Sequence, residues 1–260
     1  WCPAPSRKQR SCGYLLQCRI QCGQSFGRLR AHAPPAWQVK RGGVAELDAL
    51  PTQHAGIQWQ WGLCTEIRGV GGSAGPSVVL QCFAQGSQPL GQSWAALRSE
   101  SRGFVSPWEP AWSPDHLSRK AFTNRVYWAA RAESAGTALP LFMFHRGDRQ
   151  IVGGLTLDNI RRGPSQAGTL GYWVGERFAR QGFMREAIAA LVHHAFQVMD
   201  LSRIEAACLP ENVASRGVLE KSGFKYEGVA QSYLQINNRW RNHVLYANLR
   251  SDRRGRTDVG

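Results

Sequence analysis

One helix constrains the fold of this chain more than any other feature of its sequence. Between residues 184 and 199, apolar side chains recur at the spacing i, i+3, i+4, i+7, which places them on one buried face of an α-helix. They are Met184, Ala187, Ile188, Leu191, Val192, Ala195, Phe196 and Met199. The segments on either side, 170–174 and 203–208, are predicted to be strands, and this order favours a parallel pair joined by a right-handed crossover. The sequence therefore predicts an α/β fold.

The other predicted strands make the rest of the sheet antiparallel. Residues 139–145 and 150–157 flank the turn sequence Arg-Gly-Asp-Arg and are predicted to form a β-hairpin, which strand 170–174 extends into a meander. Two final strands are predicted at 225–229 and 241–249. We therefore expect a mixed sheet that is mostly antiparallel, with one central parallel pair.

Three further helices are predicted beside this sheet. The first spans 94–100, and the second runs from 114 or 115 to 132, since proline suits the first helical turn. The third spans 213–222, with Asn212 as its N-cap and Gly223 in the left-handed position after its end. Helices are thus expected to flank the sheet.

The chain divides into a segment without a predicted fold, one domain and a basic tail. Residues 1–90 are rich in Gly, Gln, Ser, Cys and Trp, contain few carboxylates and show no sustained apolar period. We interpret them as low-complexity sequence, either a disordered extension or, because the chain begins with Trp1, an out-of-frame or over-extended translation. The predicted domain occupies 91–250 and the tail 251–260.

Charge and composition favour acidic partners. The chain has a formal net charge of +14, which favours RNA, a nucleoprotein or a phosphorylated cofactor. No segment reaches the roughly 20 apolar residues of a membrane span, and the start shows no signal-peptide pattern, so we expect a cytoplasmic protein without membrane contact. The seven cysteines include no C-x-x-C pair and no partnering His spacing, so no metal site is predicted.

The turn before the long helix carries the clearest sign of a ligand. It reads Glu-Arg-Phe-Ala-Arg-Gln-Gly-Phe-Met-Arg over residues 176–185. Gly182 lets the backbone approach a ligand closely, and the first N–H groups of a helix lack intrahelical partners, so the two features together suit an anion such as a pyrophosphate. The alternative is a tight turn from strand to helix that binds nothing.

This turn resembles the phosphate-binding loop of the GNAT superfamily of N-acetyltransferases. That loop has Gln or Arg, two residues, Gly, one residue, and then Gly or Ala; Gly182 matches the central glycine, whereas Ala179 and Met184 depart from the pattern. Further segments resemble one subgroup, the ribosomal-protein-alanine N-acetyltransferases. They are Pro-Trp-Glu-Pro at 107–110 and the segments 153–157, 170–173, 203–206, 212–215, 219–224, 233–236 and 240–243, so the resemblance covers about 94–249.

The resemblance implies a fold and a reaction. The GNAT sheet is mixed and mostly antiparallel, with a central parallel pair splayed at the acetyl-CoA site and helices on both sides. The family's opening strand is not recognisable before Trp94, so either 78–83 replaces it or the domain is incomplete. Acetyl-CoA is the implied co-substrate, no metal is required, and a free amine attacks the thioester directly.

The implied acceptor is the N-terminal amine of a protein, an alanine of a ribosomal protein. A small-molecule amine or a lysine side chain is the alternative within the same chemistry. A ribosome- or RNA-binding module that has lost catalysis is the alternative from another class, favoured by the basic charge and the imperfect loop. The basic tail is either a solvated end or a contact for ribosomal RNA; its arginines are Arg250, Arg253, Arg254 and Arg256.

The resemblance also assigns residues to the coenzyme. These are Tyr172, Trp173, Val174, Arg180, Gln181, Gly182, Phe183, Met184 and Asn212. The strand 172–175 is implied to splay from its parallel neighbour, and an N–H group near Val174 is implied to polarise the thioester carbonyl. Tyr172 and Trp173 could alternatively be ordinary sheet aromatics.

The remaining candidates serve proton transfer and the acceptor. Ser215 faces the coenzyme sulfur and protonates the leaving thiolate in one interpretation, or only takes part in a cap with Asn212 in the other. Glu205 is the first candidate for the general base, followed by His243 and Tyr233, with a water relay as the alternative. The peptide site is assigned to His243 and to the proline-flanked Trp108 and Trp112, for which core packing is the alternative. The residues considered for proton transfer, for the cap and for the acceptor are thus Glu205, Tyr233, His243, Ser215, Asn212, Trp108 and Trp112.

Overall fold

One mixed sheet of eight strands organises the described part of the chain. The structure, a computed structural model, describes residues 67–68 and 78–250. The strands are β1 (Ile67–Arg68), β2 (Val78–Cys82), β3 (Leu139–His145), β4 (Ile151–Arg161), β5 (Ala167–Val174), β6 (Arg203–Cys208), β7 (Lys225–Ile236) and β8 (Arg239–Leu249). Their order is β1-β2-β3-β4-β5-β6-β8-β7, and β5 with β6 is the parallel pair. The predicted mixed, mostly antiparallel sheet is confirmed.

Helices cover both faces of this sheet. They are α1 (Gln88–Glu100), α2 (Arg102–Val105), α3 (Arg119–Ser134), α4 (Phe183–Gln197) and α5 (Val213–Lys221). Neighbouring residues of a strand point to opposite faces. On β3, Leu141 and Met143 pack in the cluster that contains α4, whereas Phe142 and Phe144 pack in the cluster that contains α1 and α3. The sheet therefore lies between α4 on one face and α1 with α3 on the other.

The long amphipathic helix is the best-predicted element. In α4, Ala187, Ile188, Leu191 and Ala195 are no more than 1% exposed and pack against the sheet. The helix begins at Phe183 and ends at Gln197, so the last apolar position of the predicted face lies just beyond it. The carboxylate of Glu186, in the first helical turn, accepts a hydrogen bond of 3.1 Å from the backbone N–H of Val78. This bond ties the start of α4 to β2.

Residues 78–82 supply a strand that the sequence left undecided. Strand β2 pairs antiparallel with β3 along its whole length, and Val78 and Leu80 are fully buried. The sheet therefore includes residues before the predicted domain start at 91. The helix after it begins at Gln88, earlier than the predicted 94.

Two further predicted boundaries were wrong for local reasons. The second helix starts after Ser118, whose hydroxyl accepts a 3.1 Å hydrogen bond from the N–H of Ala121, rather than at 114 or 115. Serine at the N-cap thus sets the start. Strand β7 extends to Ile236 instead of 229, because Asn237 and Asn238 both adopt positive φ and form a tight hairpin turn into β8.

Two glycines let β4 lie close to β5. A Cβ atom at Gly153 would collide with the carbonyl oxygen of Trp173 and lie 3.0 Å from the Cα atom of Val174. A Cβ atom at Gly154 would lie 2.9 Å from Nε1 of Trp173. Because Gly153 and Gly154 have no side chains, β4 and β5 can lie this close together.

We predict that Gly153→Ala destabilises the protein by about 2 kcal/mol, because the added methyl group meets backbone atoms that cannot rotate away. Gly171→Ala, in β5 itself, is the control, since a Cβ atom there meets nothing within 4 Å. It should change the free energy of unfolding by less than about 1 kcal/mol. Urea unfolding measures both, and equal effects of the two substitutions would contradict the close-approach argument.

Candidate active site

Strands β5 and β6 pair only along their first residues and then separate. The parallel pairing runs from Ala167 with Arg203 to Leu170 with Ala206. Beyond that point β5 continues to Val174 beside β4, and β6 continues to Cys208 beside β8. The sheet thus opens into a gap between its two central strands, as the predicted fold requires.

Backbone groups of β5 point into this gap. The N–H of Gly175 donates a 2.9 Å hydrogen bond to the carbonyl of Val152 in β4. Successive N–H groups of a strand point to opposite edges, so the N–H of Trp173 also points towards β4. The N–H groups of Tyr172 and Val174 therefore point to the side on which β6 has departed.

The loop between β5 and α4 presents a second set of free N–H groups. Gly182 caps α4 with φ of 91°, and Arg180 also has a positive φ of 62°. The first hydrogen bond of α4 runs from the N–H of Glu186 to the carbonyl of Gly182. Among the described residues, the N–H groups of 180–185 have no hydrogen-bond acceptor. Unpaired amides at the positive end of a helix dipole form a site that suits a phosphate group.

In this loop the backbone N–H groups, rather than most of the side chains, are placed to contact a ligand. Phe183 and Met184 are 5% and 8% exposed and pack in the core, so only their N–H groups can meet a ligand. The Gln181 side chain donates a 2.7 Å hydrogen bond to the carbonyl of Arg177. Arg180 is exposed and adds a positive charge beside the amides.

Three polar side chains meet at the mouth of the gap. The phenol oxygen of Tyr172 lies 2.7 Å from Oγ of Ser215, across from β5 to α5. The N–H of Ser215 donates a 3.0 Å hydrogen bond to Oδ1 of Asn212, which confirms the predicted cap. Burial raises the pKa of Tyr172, although the hydrogen bond with Ser215 opposes that change. Burial also raises the pKa of the Cys208 thiol.

Glu205 lies on the paired part of β6 and not at the gap. Its carboxylate accepts hydrogen bonds of 2.7 Å from Arg161 and 2.9 Å from Arg203. Burial favours a higher pKa, but these two arginines outweigh it and lower the pKa of Glu205. Glu205 pairs with Thr169, which precedes Val174 by five residues, or about 16 Å of strand. The structure does not bring Glu205 to the free amide of Val174.

His243 and Tyr233 lie together on β8 and β7. Their rings make an edge contact with centroids 5.6 Å apart. Nδ1 of His243 lies 3.0 Å from the carbonyl of Arg241, which can only accept, so Nδ1 carries the proton and Nε2 has the lone pair. Burial lowers the pKa of His243, against the hydrogen bond to Arg241. Val244 pairs with Cys208, the last residue of β6. His243 precedes Val244 in the chain and therefore lies just past the end of β6.

A buried cation lies beside Trp173 on the other face of the gap. The guanidinium of Arg98 lies 4.6 Å from the ring centre of Trp112 and 4.7 Å from that of Trp173. Arg98 donates two hydrogen bonds to the carboxylate of Glu109, of 2.9 and 2.5 Å, and only 6% of its side chain is exposed. Trp112 donates to the same carboxylate and stacks on His116. The structure therefore packs Trp112 into an ionic cluster that sequence analysis did not identify.

His116 stays neutral in this cluster. Burial, together with Arg125 and Arg98, lowers its pKa to about 3. A protonated imidazole between two guanidinium groups would add a third positive charge with too few carboxylates to balance it. Trp108, in the short 3-10 turn that precedes Glu109, is 39% exposed, in contrast to the buried Arg98.

Glu109→Gln should destabilise the protein by about 3 kcal/mol, because Arg98 would remain buried without its counter-charge. Glu211→Gln removes a carboxylate from the exposed ion pair with Arg241 and should cost less than about 1 kcal/mol. Thermal unfolding of both variants at neutral pH is the measurement. A similar loss in the two variants would show that the Arg98 cluster contributes no more than a surface pair.

Neither a membrane-spanning helix nor a cluster of metal ligands occurs among residues 67–68 and 78–250. No helix there is long and apolar enough to cross a bilayer. No group of three His, Cys, Asp or Glu side chains there is placed to hold a metal ion.

Of the basic tail, Arg250 is described and pairs with Asp200 at 2.6 Å, while Arg253, Arg254 and Arg256 lie outside the described residues.

Two N-acetyltransferases are similar to this chain in sequence. The chain is 32% identical over 149 residues to the [Ribosomal protein uS5]-alanine N-acetyltransferase of Escherichia coli (strain K12), which covers 57% of this chain and 77% of that protein. It is 31% identical over 156 residues to the Probable N-acetyltransferase YjcK of Bacillus subtilis (strain 168), covering 60% and 86%.

A solved structure and a family model agree with these relatives. The structure of Mycobacterium smegmatis RimJ in complex with CoA-disulfide superposes with a TM-score of 0.60 and 32% identity, covering 67% of this chain and 82% of that one. The model of the acetyltransferase (GNAT) domain matches residues 91–225, more than half of the chain. With its gap between two parallel strands and its free amides at the start of α4, the chain belongs to the GNAT family of acetyltransferases.

Proposed function

We propose that this chain transfers an acetyl group from acetyl-CoA to the N-terminal amine of a protein, an alanine of a ribosomal protein. The observation that carries the proposal is the set of unpaired amides at 180–185 next to the gap between β5 and β6. Coenzyme A combines two matching features: a diphosphate, which suits the unpaired amides at 180–185, and an amide-containing pantetheine chain, which suits the gap between β5 and β6. The names of the chain's relatives support a ribosomal protein as the acyl acceptor.

Backbone groups provide most of the coenzyme site. The N–H groups of Arg180, Gln181, Gly182, Phe183 and Met184 bind the diphosphate, which explains why Ala179 and Met184 are tolerated in the loop: neither side chain is needed. Along β5, the free backbone groups near Tyr172 pair with the pantetheine amides. The N–H of Val174 polarises the thioester carbonyl and stabilises the oxyanion that forms on it.

The acceptor amine approaches from the face that carries Trp173. An α-amino group has a pKa of about 8, so a substantial fraction is uncharged near neutral pH and a base need only remove the last proton. Among the candidate bases His243 is the best supported, because its neutral ring has a lone pair on Nε2 that can take the proton directly or through water. Trp108 and Tyr233, each 39% exposed, line the approach of the peptide.

A ribosomal acceptor agrees with charge and with the relatives' names. The net charge of +14 favours association with an RNA-rich particle. The Escherichia coli relative is named for the alanine of uS5 and is 32% identical to this chain. We extend that type of substrate to this chain. The proposed substrate would place the activity in the cytoplasm.

The acceptor class can be tested with the purified chain by measuring release of the coenzyme A thiol. We expect turnover with an Ala-starting peptide, and less with the same peptide starting with Ser. The Ala-starting peptide with a blocked amine, a lysine-containing blocked peptide and an aminoglycoside should not react. Turnover only with the lysine peptide or the aminoglycoside would overturn the N-terminal assignment and leave the acetyltransferase activity intact.

The amide site can be tested by substituting its central glycine. Gly182→Val should abolish detectable coenzyme A binding, because a β-branched side chain cannot hold φ near 91° and would displace the free amides. Isothermal titration calorimetry measures the affinity. Gly163→Val is the matched control, since Gly163 also has positive φ, 68°, but lies in the β4–β5 turn with open space around it. Equal affinities for the two variants would count against this site.

A further inference from the structure

We infer that Arg98 is a positioning residue that holds the indole of Trp173 over β4 and so keeps the acceptor side of the gap open. The inference rests on the proposed function, because it concerns the face from which the acceptor amine approaches. It starts from a contact that the proposed reaction does not use, a guanidinium group in the protein interior that lies over two indole rings.

Trp173 lies beside the reacting position and leans away from it. It precedes Val174, whose N–H points into the gap, and it pairs with Gly154 in the register of β5 with β4. A Cβ atom at Gly154 would lie 2.9 Å from Nε1 of Trp173 and 3.6 Å from its Cε2. The indole therefore leans over β4, on the side of β5 that is opposite to the gap. The missing side chain of Gly154 provides the room for it.

Another rotamer of Trp173 would place its indole over the gap. Side chains occupy a few staggered rotamers, and rotation about the first side-chain bond swings the ring from one side of the strand to the other. Beyond Leu170, β6 no longer pairs with β5, so the second side of Trp173 borders the gap. An indole rotated to that side would cover the carbonyl that the N–H of Val174 polarises. The ring and the acceptor amine would then compete for the same space.

The guanidinium of Arg98 favours the rotamer that leaves the gap open. It lies 4.7 Å from the ring centre of Trp173, and only 6% of the Arg98 side chain is exposed. A cation over an indole face is attracted by the electrons of the ring, most strongly where water is excluded. Rotation of the indole towards the gap would lose this attraction. The contact therefore opposes closure of the gap by Trp173.

Arg98 is itself held in one orientation. It donates two hydrogen bonds to the carboxylate of Glu109, which also accepts one of 2.9 Å from Nε1 of Trp112. Its Nη2 atom lies 3.3 Å from Nε2 of His116. Replacing both partners of a buried ion pair by groups of similar size is often neutral for stability, whereas removing one partner is costly. This network is therefore better suited to fixing the orientation of Trp173 than to stabilising the fold.

The backbone next to Trp173 is held by other contacts. Oγ of Ser101 accepts a 2.9 Å hydrogen bond from the N–H of Glu176. A Cβ atom at Gly175 would lie 2.5 Å from Cδ1 of Leu97, so α1 lies directly against the strand end. Loss of the Arg98 contact should therefore free the indole and leave the N–H of the preceding backbone, and the coenzyme site, in place.

Arg98→Met combined with Glu109→Gln removes both charges and keeps both side-chain lengths. If the gap is then open for about one tenth of the time, KM for the Ala-starting peptide rises about tenfold, with kcat and coenzyme A affinity unchanged. Isothermal titration of the peptide into protein saturated with coenzyme A, which cannot react, should show the same loss. Arg250→Met with Asp200→Asn is the control, since that ion pair is similarly buried but lies next to the paired end of β6. It should leave KM unchanged.

A Trp173→Val background separates positioning from a general structural effect. No indole can enter the gap there, so the paired Arg98 and Glu109 substitutions should not raise KM above that of Trp173→Val alone. A further rise in this background, or an unchanged KM for the paired variant, would overturn the inference. If the paired variant does not fold, as judged by thermal unfolding, Arg98→Lys replaces it, because lysine keeps the charge opposite Glu109 but has no planar group to stack on the indole. An unchanged KM for Arg98→Lys then overturns the inference. Failure of the unaltered protein to bind the Ala-starting peptide contradicts the proposed acceptor instead.

Discussion

The separation of β5 from β6 after Leu170 and Ala206 is the constraint on which the rest of the site depends. A strand inside a sheet normally pairs every backbone group, and an unpaired buried amide costs about 1–3 kcal/mol. Here both strands are held from behind, β5 by β4 and β6 by β8, so the gap persists although its edges lack partners. An extended ligand with amide groups of its own is the natural complement to such edges.

The same framework holds the second set of amides. Helix α4 is fixed to the sheet by its buried face and to β2 by the bond between Glu186 and Val78, so its first turn cannot shift to satisfy its own N–H groups. Gly182 adopts the left-handed conformation that turns the chain into this helix. The free amides at 180–185 are therefore preorganised by core packing rather than by contacts within the loop.

Local patterns predicted the elements, and long-range contacts escaped prediction. The period of α4, the Asn212 cap and the parallel pair follow from spacing, because each depends on residues close in the chain. The Arg98 cluster joins α1, the loop at Glu109 and Trp173 on β5, over 75 residues, and arginine is seldom buried, so nothing in the sequence pointed to it. Strand β7 was cut short in prediction because the bulge between Ala230 and Leu234 interrupts its alternation.

Alternation along β5 gives the two faces of the gap different chemistry. Tyr172 points to the α5 side and meets Ser215, whereas Trp173 points to the opposite face and meets Arg98. In the proposed reaction the amine attacks one face of the planar thioester, whose sulfur lies in that plane, and the N–H of Val174 polarises the carbonyl. One strand therefore presents different contacts to the two faces, Tyr172 with Ser215 on one and Trp173 with Arg98 on the other. Under the proposed function, residues on the Trp173 face can therefore differ between acceptors without altering the contact between Tyr172 and Ser215.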